Sequence, residues 1–240
     1  MLDWIAFDAD DTLWRNEEYY LDGRDQFFKI LEKYGLHLDE MSQFDNFEVD
    51  NIPYFGYGAM SFVLSMIELS IEITEERIHP RDIQRIIQLG KEMLTHDLIL
   101  FEGVEELLGS LASDYPLMLI TKGDLFHQQR KFEASGLKKY FKALEVVSEK
   151  DPEVYGEILQ RYGIEPGKFL MIGNSLRSDI LPVLELGGWA LHLANHPTWS
   201  HEDDPLADST PEGYLEAEDI RGVWEVLQNR GLLEGNGSNG

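Results

Sequence analysis

Hydrophobic residues along this chain fall into two regimes. Short apolar runs closed by polar residues occur at 5–7, 117–120, 144–147, 169–172 and 189–193. A run without alternation suits a strand buried on both faces, as in a parallel sheet covered by helices. Between about residues 17 and 99 the apolar positions instead recur near helical spacing. Phe27, Phe28, Ile30, Leu31 and Tyr34 form one such stripe, with Gly35 as its stop. A second helix is predicted over 59–73. A third starts at Pro80 and carries Ile83, Ile86, Ile87, Leu89, Met93 and Leu94. From about residue 100 strands alternate with helical segments. The pattern predicts an α/β protein with a doubly wound parallel sheet and a helical module inserted after the first strand. The hinges fall near 14–17 and 98–103, and the Gly/Asn/Ser run at 235–240 reads as a flexible tail.

The polar residues that close these runs are the chemically informative ones, because ligands of doubly wound sheets bind beyond the carboxyl ends of the strands. The first run ends in Asp8-Ala9-Asp10-Asp11-Thr12. Side chains two apart on a strand share a face, so Asp8 and Asp10 are expected to project together while Asp11 turns away to cap a turn. Paired carboxylates repel unless a cation or proton sits between them, which points to metal-assisted acid–base chemistry. The second run ends in Thr121-Lys122-Gly123-Asp124, whose hydroxyl and amides suit phosphate oxygens and whose Asp124 suits a helix N-cap. The third leads into Ser148-Glu149-Lys150-Asp151-Pro152, where a lysine precedes a proline-started helix. The fourth leads into Gly173-Asn174-Ser175 and Asp179, hard oxygen donors of the kind Mg²⁺ takes.

Charge narrows the partners. Twenty Lys and Arg against 45 Asp and Glu leave a net charge of −25. Such a molecule repels polyanions, so neither nucleic acid nor an anionic membrane surface is an expected partner. A phosphate-bearing substrate must be received by local cations and amides against the long-range field. With no cysteine there is no thiolate metal site and no disulfide. The first residues lack the basic and long apolar regions of a signal peptide, and no apolar stretch is long enough to span a bilayer. A soluble, cytoplasmic protein is expected.

Taken in order, the four strand ends resemble the haloacid dehalogenase superfamily of hydrolases. Asp8-x-Asp10-x-Thr12 matches the first motif and Thr121 the second. Lys150 matches the third, and Gly173-Asn174-Ser175 with Asp179 resembles the fourth. The resemblance implies a Rossmann-like core over 1–16 and 100–240 with a smaller α-helical cap over 17–99. It implies Asp8 as nucleophile and Asp10 as general acid–base, with Thr121 and Lys150 on the phosphoryl group; Lys122, next to Thr121, is a further phosphate-binding candidate. Mg²⁺ would be held by Asp8, Asp10, Asn174 and Asp179. The departure is Asn174, where phosphatases of the superfamily usually place Asp. Its amide oxygen can coordinate but adds no charge, so metal affinity should weaken while a phosphate dianion approaches more easily.

The expected activity is Mg²⁺-dependent hydrolysis of a small-molecule phosphomonoester through an aspartyl-phosphate. Asp8 and the phosphate are expected to raise the Asp10 pKa, against Mg²⁺. A phosphomutase, a dehalogenase and a non-catalytic scaffold share the fold; Asp10 is superfluous to a dehalogenase, and Asn174 alone favours the scaffold. Within the cap, the loop at 51–58 is the candidate for specificity, through Tyr54 and Tyr57. The segment at 195–202 holds two histidines and Glu202. A surface loop packing Trp199 is favoured there over a second metal site. The sequence leaves the oligomeric state open.

Overall fold

The structure is a computed structural model. It describes residues 2–36, 38–202 and 211–233, with the backbone alone for 38–43. The expected tail at 235–240 lies outside the described residues. Strand β1 (Trp4–Phe7) is followed by α1 (Glu17–Leu31), α2 (Leu38–Phe55), α3 (Ala59–Ile73) and α4 (Pro80–Met93). The chain continues through α5 (Val104–Leu111), β2 (Leu117–Lys122), α6 (Leu125–Ala134), β3 (Phe141–Val147), α7 (Pro152–Tyr162) and β4 (Phe169–Gly173). A π-helical turn (Leu176–Ile180) leads into α8 (Leu181–Glu185), and β5 (Trp189–Leu193), β6 (Tyr214–Ala217) and α9 (Val223–Asn229) follow.

The six strands form one parallel sheet in the order β3-β2-β1-β4-β5-β6. From β1 the chain builds outward through β2 and β3, then crosses back to β4 and builds the other way. The reversal lies between β1 and β4, where a crevice opens at the carboxyl ends of such sheets. The apolar runs are continuous because each face has its own cover. Ile5, Phe7, Leu117, Leu119, Leu170 and Ile172 pack into one core. Ala6, Met118, Ile120, Phe169 and Met171 pack into the other, with Tyr155, Ile158 and Leu159 of α7. Register puts Phe7 opposite both Leu119 and Ile172, so Asp8, Thr121 and Asn174 emerge at neighbouring strand ends.

Two compact units divide the chain: Met1–Arg15 with Leu98–Lys122 and Gln128–Gly240, and Asn16–Asp97 with Gly123–His127. The first holds the sheet. The second is helical and has its own core, built from Phe27, Ile30 and Leu31 of α1, Phe44 of α2, Phe62, Met66 and Leu69 of α3, and Ile86 and Leu89 of α4. Glycine at position 90 inside α4 has a packing cause, since a Cβ there would collide with Val63. Within this unit the expectation of a loop at 51–58 is corrected. Helix α2 runs through Pro53 to Phe55, and only Gly56, Tyr57 and Gly58 are non-helical. Gly56 and Gly58 take positive φ angles of 72° and 115°, which ends one helix and starts the next.

Candidate active site

The β1 strand stops at Phe7, and the acidic residues beyond it lie in a tight turn. Thr12 and Leu13 amides both donate to the Ala9 carbonyl. Asp11 takes a left-handed φ of 58°, its carbonyl bonded to His196 Nδ1 at 2.8 Å. The turn separates the partners of the two carboxylates that strand alternation would have aligned. Asp8 Oδ1 accepts from Lys150 Nζ at 2.5 Å. Asp10 Oδ1 instead accepts from Lys131 Nζ at 2.5 Å and Trp14 Nε1 at 2.5 Å, and its Oδ2 from Gln128 Nε2 at 3.0 Å.

Lys150 precedes α7, where Asp151 caps the helix by accepting from the Val154 amide at 2.8 Å and Pro152 fills the first turn. That stop delivers the ammonium, 4 % exposed, between Asp8 and Asp179, the latter at 2.7 Å. Asp179 lies in the π-helical turn after β4. Its Oδ2 accepts from the Ser175 amide at 3.0 Å, and Gly173 is required because a Cβ there would strike this carboxylate. Buried Tyr155 of α7 braces the turn by donating to the Ser178 carbonyl at 3.1 Å.

Asn174 is held on both sides of its amide. Its Nδ2 donates to the Pro197 carbonyl at 2.7 Å and to Thr198 Oγ1 at 3.2 Å, and its Oδ1 accepts from Thr12 Oγ1 at 3.0 Å. A carboxylate has no hydrogen to give the Pro197 carbonyl, so the loop after β5 supplies a structural reason for asparagine. Thr121 is 2 % exposed and accepts from Gln128 Nε2 at 2.9 Å. Lys122 is engaged by two carboxylates and a hydroxyl: its Nζ meets Glu202 Oε1 at 2.6 Å, Ser178 Oγ at 2.8 Å and Glu149 Oε1 at 3.3 Å. Glu202 also accepts from Ser175 Oγ and Ser178 Oγ. Asp8, Asp10, Thr121, Lys122, Lys150 and Asp179 thus belong to one chain of hydrogen bonds running through Gln128, Glu202, Ser175 and Ser178. Tyr54 and Tyr57 belong to the helical unit; Tyr54 is exposed on the last turn of α2.

Electrostatics follow from burial against pairing. Burial raises the Asp8 pKa and outweighs the pull of Lys150, with Asp179 and Asp10 adding to the rise. Burial opposes the charge on Lys150, yet Asp179 and Asp8 outweigh it and keep the ammonium protonated. The rise expected for Asp10 belongs to the phosphate-bound site; in the free protein the shift runs the other way. Burial of Asp10 acts upward, but the Lys131 ammonium, with the Gln128 and Trp14 bonds, holds the carboxyl below its usual range. Glu202 behaves likewise: burial acts upward and Lys122 with the two serines prevails.

The segment after β5 is more than a surface loop. His196 and Glu202 are both buried and bonded into the site, while Trp199 packs against the His201 ring at 4.9 Å between centroids. Among the described residues no group of three or more His, Asp or Glu side chains forms a ready metal cage. The donor set beyond β1 and β4 nonetheless suits Mg²⁺, which keeps several waters and needs only one or two carboxylates beside substrate phosphate. Asp8, Asp10, Asn174 and Asp179 are the oxygen donors there that could hold it. Sequence reasoning missed Lys131, Gln128 and Trp14 as partners of Asp10, and Glu202 as partner of Lys122. Only the i,i+3 spacing of Gln128 and Lys131 on the helix after Thr121 carried a signal.

Comparison with known proteins agrees with this layout. The family model for haloacid dehalogenase-like hydrolases matches residues 2–187. The N-acylneuraminate-9-phosphatase of Mus musculus is 30% identical over 104 residues, 41% of this chain and 42% of that protein. The match therefore spans less than half the length of this relative. A haloacid dehalogenase-like hydrolase from Xanthomonas campestris, known from its crystal structure, is 43% identical with a TM-score of 0.83, covering 96% of this chain and 91% of that one. The HAD hydrolase YfnB of Bacillus subtilis, crystallised bound to magnesium, shares the fold at 18% identity with a TM-score of 0.66, covering 95% of this chain and 99% of that one. With the parallel sheet, its switch point and the residues at its strand ends, these matches establish that the chain belongs to the haloacid dehalogenase-like hydrolase family.

Proposed function

We propose that this protein is a Mg²⁺-dependent phosphatase that hydrolyses a small-molecule phosphomonoester through an aspartyl-phosphate on Asp8. One observation carries the reading: at the switch point, the buried Lys150 ammonium is hydrogen-bonded to both Asp8 and Asp179. The ammonium places a buried positive charge beside Asp8 for phosphoryl oxygens to meet, Mg²⁺ would offset the excess charge of the two carboxylates, and ligands of such sheets bind there. The phosphatase name of the matched relative supports the same chemistry.

In this mechanism an Asp8 oxygen bonds to phosphorus as the ester P–O bond breaks, and the bond's electron pair passes to the leaving oxygen. That oxygen takes the proton of the Asp10 carboxyl. Water then attacks phosphorus, gives its proton to Asp10, and the Asp8–phosphorus bond breaks to return the carboxylate. Thr121 and Lys150 hold the phosphoryl oxygens. Asp10 is ionised beside Lys131 in the free protein, so it must gain its proton when a phosphate of about −2 charge arrives and opposes that ammonium. Mg²⁺, held by Asp8 and Asp10 with Asn174 and Asp179, would supply charge neutralisation at the phosphoryl oxygens. The donors gathered around Asp10 favour this chemistry over dehalogenation, which has no need of that residue.

The helical unit is proposed to act as a cap that admits small metabolites, with Tyr54 and Tyr57 contributing to specificity. A net charge of −25 disfavours polyanionic substrates. The test is a panel of sugar phosphates, phosphoglycolate-like acids and nucleoside monophosphates, with and without Mg²⁺, using Asp8→Asn protein as the blank. Mg²⁺-dependent release of inorganic phosphate, absent from the blank, is expected. Transfer of the phosphoryl group to another alcohol without free phosphate would make it a mutase. Silence across the panel would overturn the reading.

A further inference from the structure

A lysine on a helix over a sheet ordinarily extends to water, keeping its charge solvated. Lys131 of α6 does not: it is 7 % exposed, and its ammonium is spent on Asp10 Oδ1 at 2.5 Å. Gln128, one turn earlier on the same face, is 4 % exposed and donates from Nε2 to Asp10 Oδ2 at 3.0 Å. The same nitrogen reaches Thr121 Oγ1 at 2.9 Å and the Lys122 carbonyl at 2.6 Å. Its Oε1 is buried without a hydrogen-bond partner among the described residues. A buried amide with an unsatisfied oxygen is costly, so this Gln is oriented for what its nitrogen does. Trp14 Nε1 closes the third side of the carboxylate. Three rigidly based donors therefore fix one orientation of Asp10.

We propose that Lys131, seconded by Gln128, is a positioning residue that sets the Asp10 carboxyl for proton transfer to the leaving oxygen and from the attacking water. The inference rests on the phosphatase reading above, in which one carboxyl serves both half-reactions and must return to the same place between them. Orientation of a reacting group carries much of its catalytic value.

The experiment compares kcat/KM for two kinds of ester, since kcat/KM reports the steps through formation of the phosphoenzyme. One is an alkyl phosphate (2-phosphoglycolate or a sugar phosphate, whichever turns over faster), whose leaving oxygen needs a proton. The other is p-nitrophenyl phosphate, whose leaving oxygen does not. Lys131→Met is expected to lower kcat/KM about 10–100-fold for the alkyl ester and less than about threefold for the aryl ester. Lys131→Arg should recover most of the loss. In an Asp10→Asn background Lys131→Met should add nothing further, because both changes act through one carboxyl. The Asp10→Asn comparison and the Arg variant leave no carboxylate without its cation, so they read the coupling even if Lys131→Met folds poorly. Equal losses on both esters, additive losses with Asp10→Asn, or no loss at all would overturn the positioning role alone. A wild-type protein that turns over no ester would overturn the phosphatase reading, and this inference with it.

Discussion

Asn174→Asp would restore the residue common in phosphatases of this superfamily, and here it should destabilise the protein. The side chain is 7 % exposed, and its Nδ2 donates to the Pro197 carbonyl at 2.7 Å and to Thr198 Oγ1 at 3.2 Å. Replacing that nitrogen with a carboxylate oxygen removes the bond to Pro197, worth about 1 kcal/mol, whereas the Thr198 hydroxyl can turn to donate to the new oxygen. The replacement also sets an anionic oxygen against a carbonyl oxygen, at a cost of about 1–2 kcal/mol. The sum is about 2–3 kcal/mol, or a Tm lowered by about 4–12 °C in a chain of this size. The sign with pH follows. The buried carboxyl introduced by Asn174→Asp has a folded pKa above its unfolded value near 4, and its protonated form can donate to Pro197. The deficit is therefore full at pH 8 and shrinks as pH falls through that raised pKa. Calorimetry of both proteins at pH 5 and pH 8 measures it. A variant as stable as the parent at pH 8, or a gap that widens toward pH 5, would refute the reasoning.

Lys150→Met leaves the buried Asp8 and Asp179 carboxylates without their shared cation, so stability at pH 8 should fall by about 3–5 kcal/mol and recover partly in acid; chemical denaturation at the two pH values checks it. In the helical unit, burial raises Glu48 to about 8 and Glu17 to about 7, with Asp45 acting upward and Arg24 downward on both. Their folded pKa values lie above the unfolded ones, so stability should fall as pH rises from about 4.5 to 8. Glu48→Gln should flatten that slope and raise Tm at pH 8 by a few degrees; an unchanged profile in thermal melts would count against it.

The sheet was legible because its physics is local. Strands covered on both faces must be apolar throughout, and β1, β2, β4 and β5 announce themselves so. Strand β6 escaped because it lies at the sheet edge, where Glu216 faces solvent and the run Tyr-Leu-Glu-Ala alternates. Helix α2 escaped for another reason. Its Pro53, with the glycines at 56 and 58, read as a breaker, yet α2 carries the proline inside its last turn and ends two residues later at Phe55. At the site, the residues that close each strand could be named one by one, and Lys150 with Asp8 and Asp179 came together as their order suggested. The separate lysines of Asp8 and Asp10 could not be read, because the turn with Asp11 at φ 58° cancels strand alternation just after β1. Lys131 lies 121 residues from Asp10, and Glu202 lies 80 from Lys122. Such pairings are set by packing between elements, and a charged residue on a helix gives no hint of them.

The most direct test of the account is to quench the protein with acid during turnover of its best phosphate ester in Mg²⁺ and to locate the phosphoryl group by peptide mass spectrometry. The account predicts a phosphoryl adduct on Asp8 in the parent protein and none, with no phosphate release, in Asp8→Asn. An Asp8→Asn protein that still releases phosphate at the parent rate would contradict it.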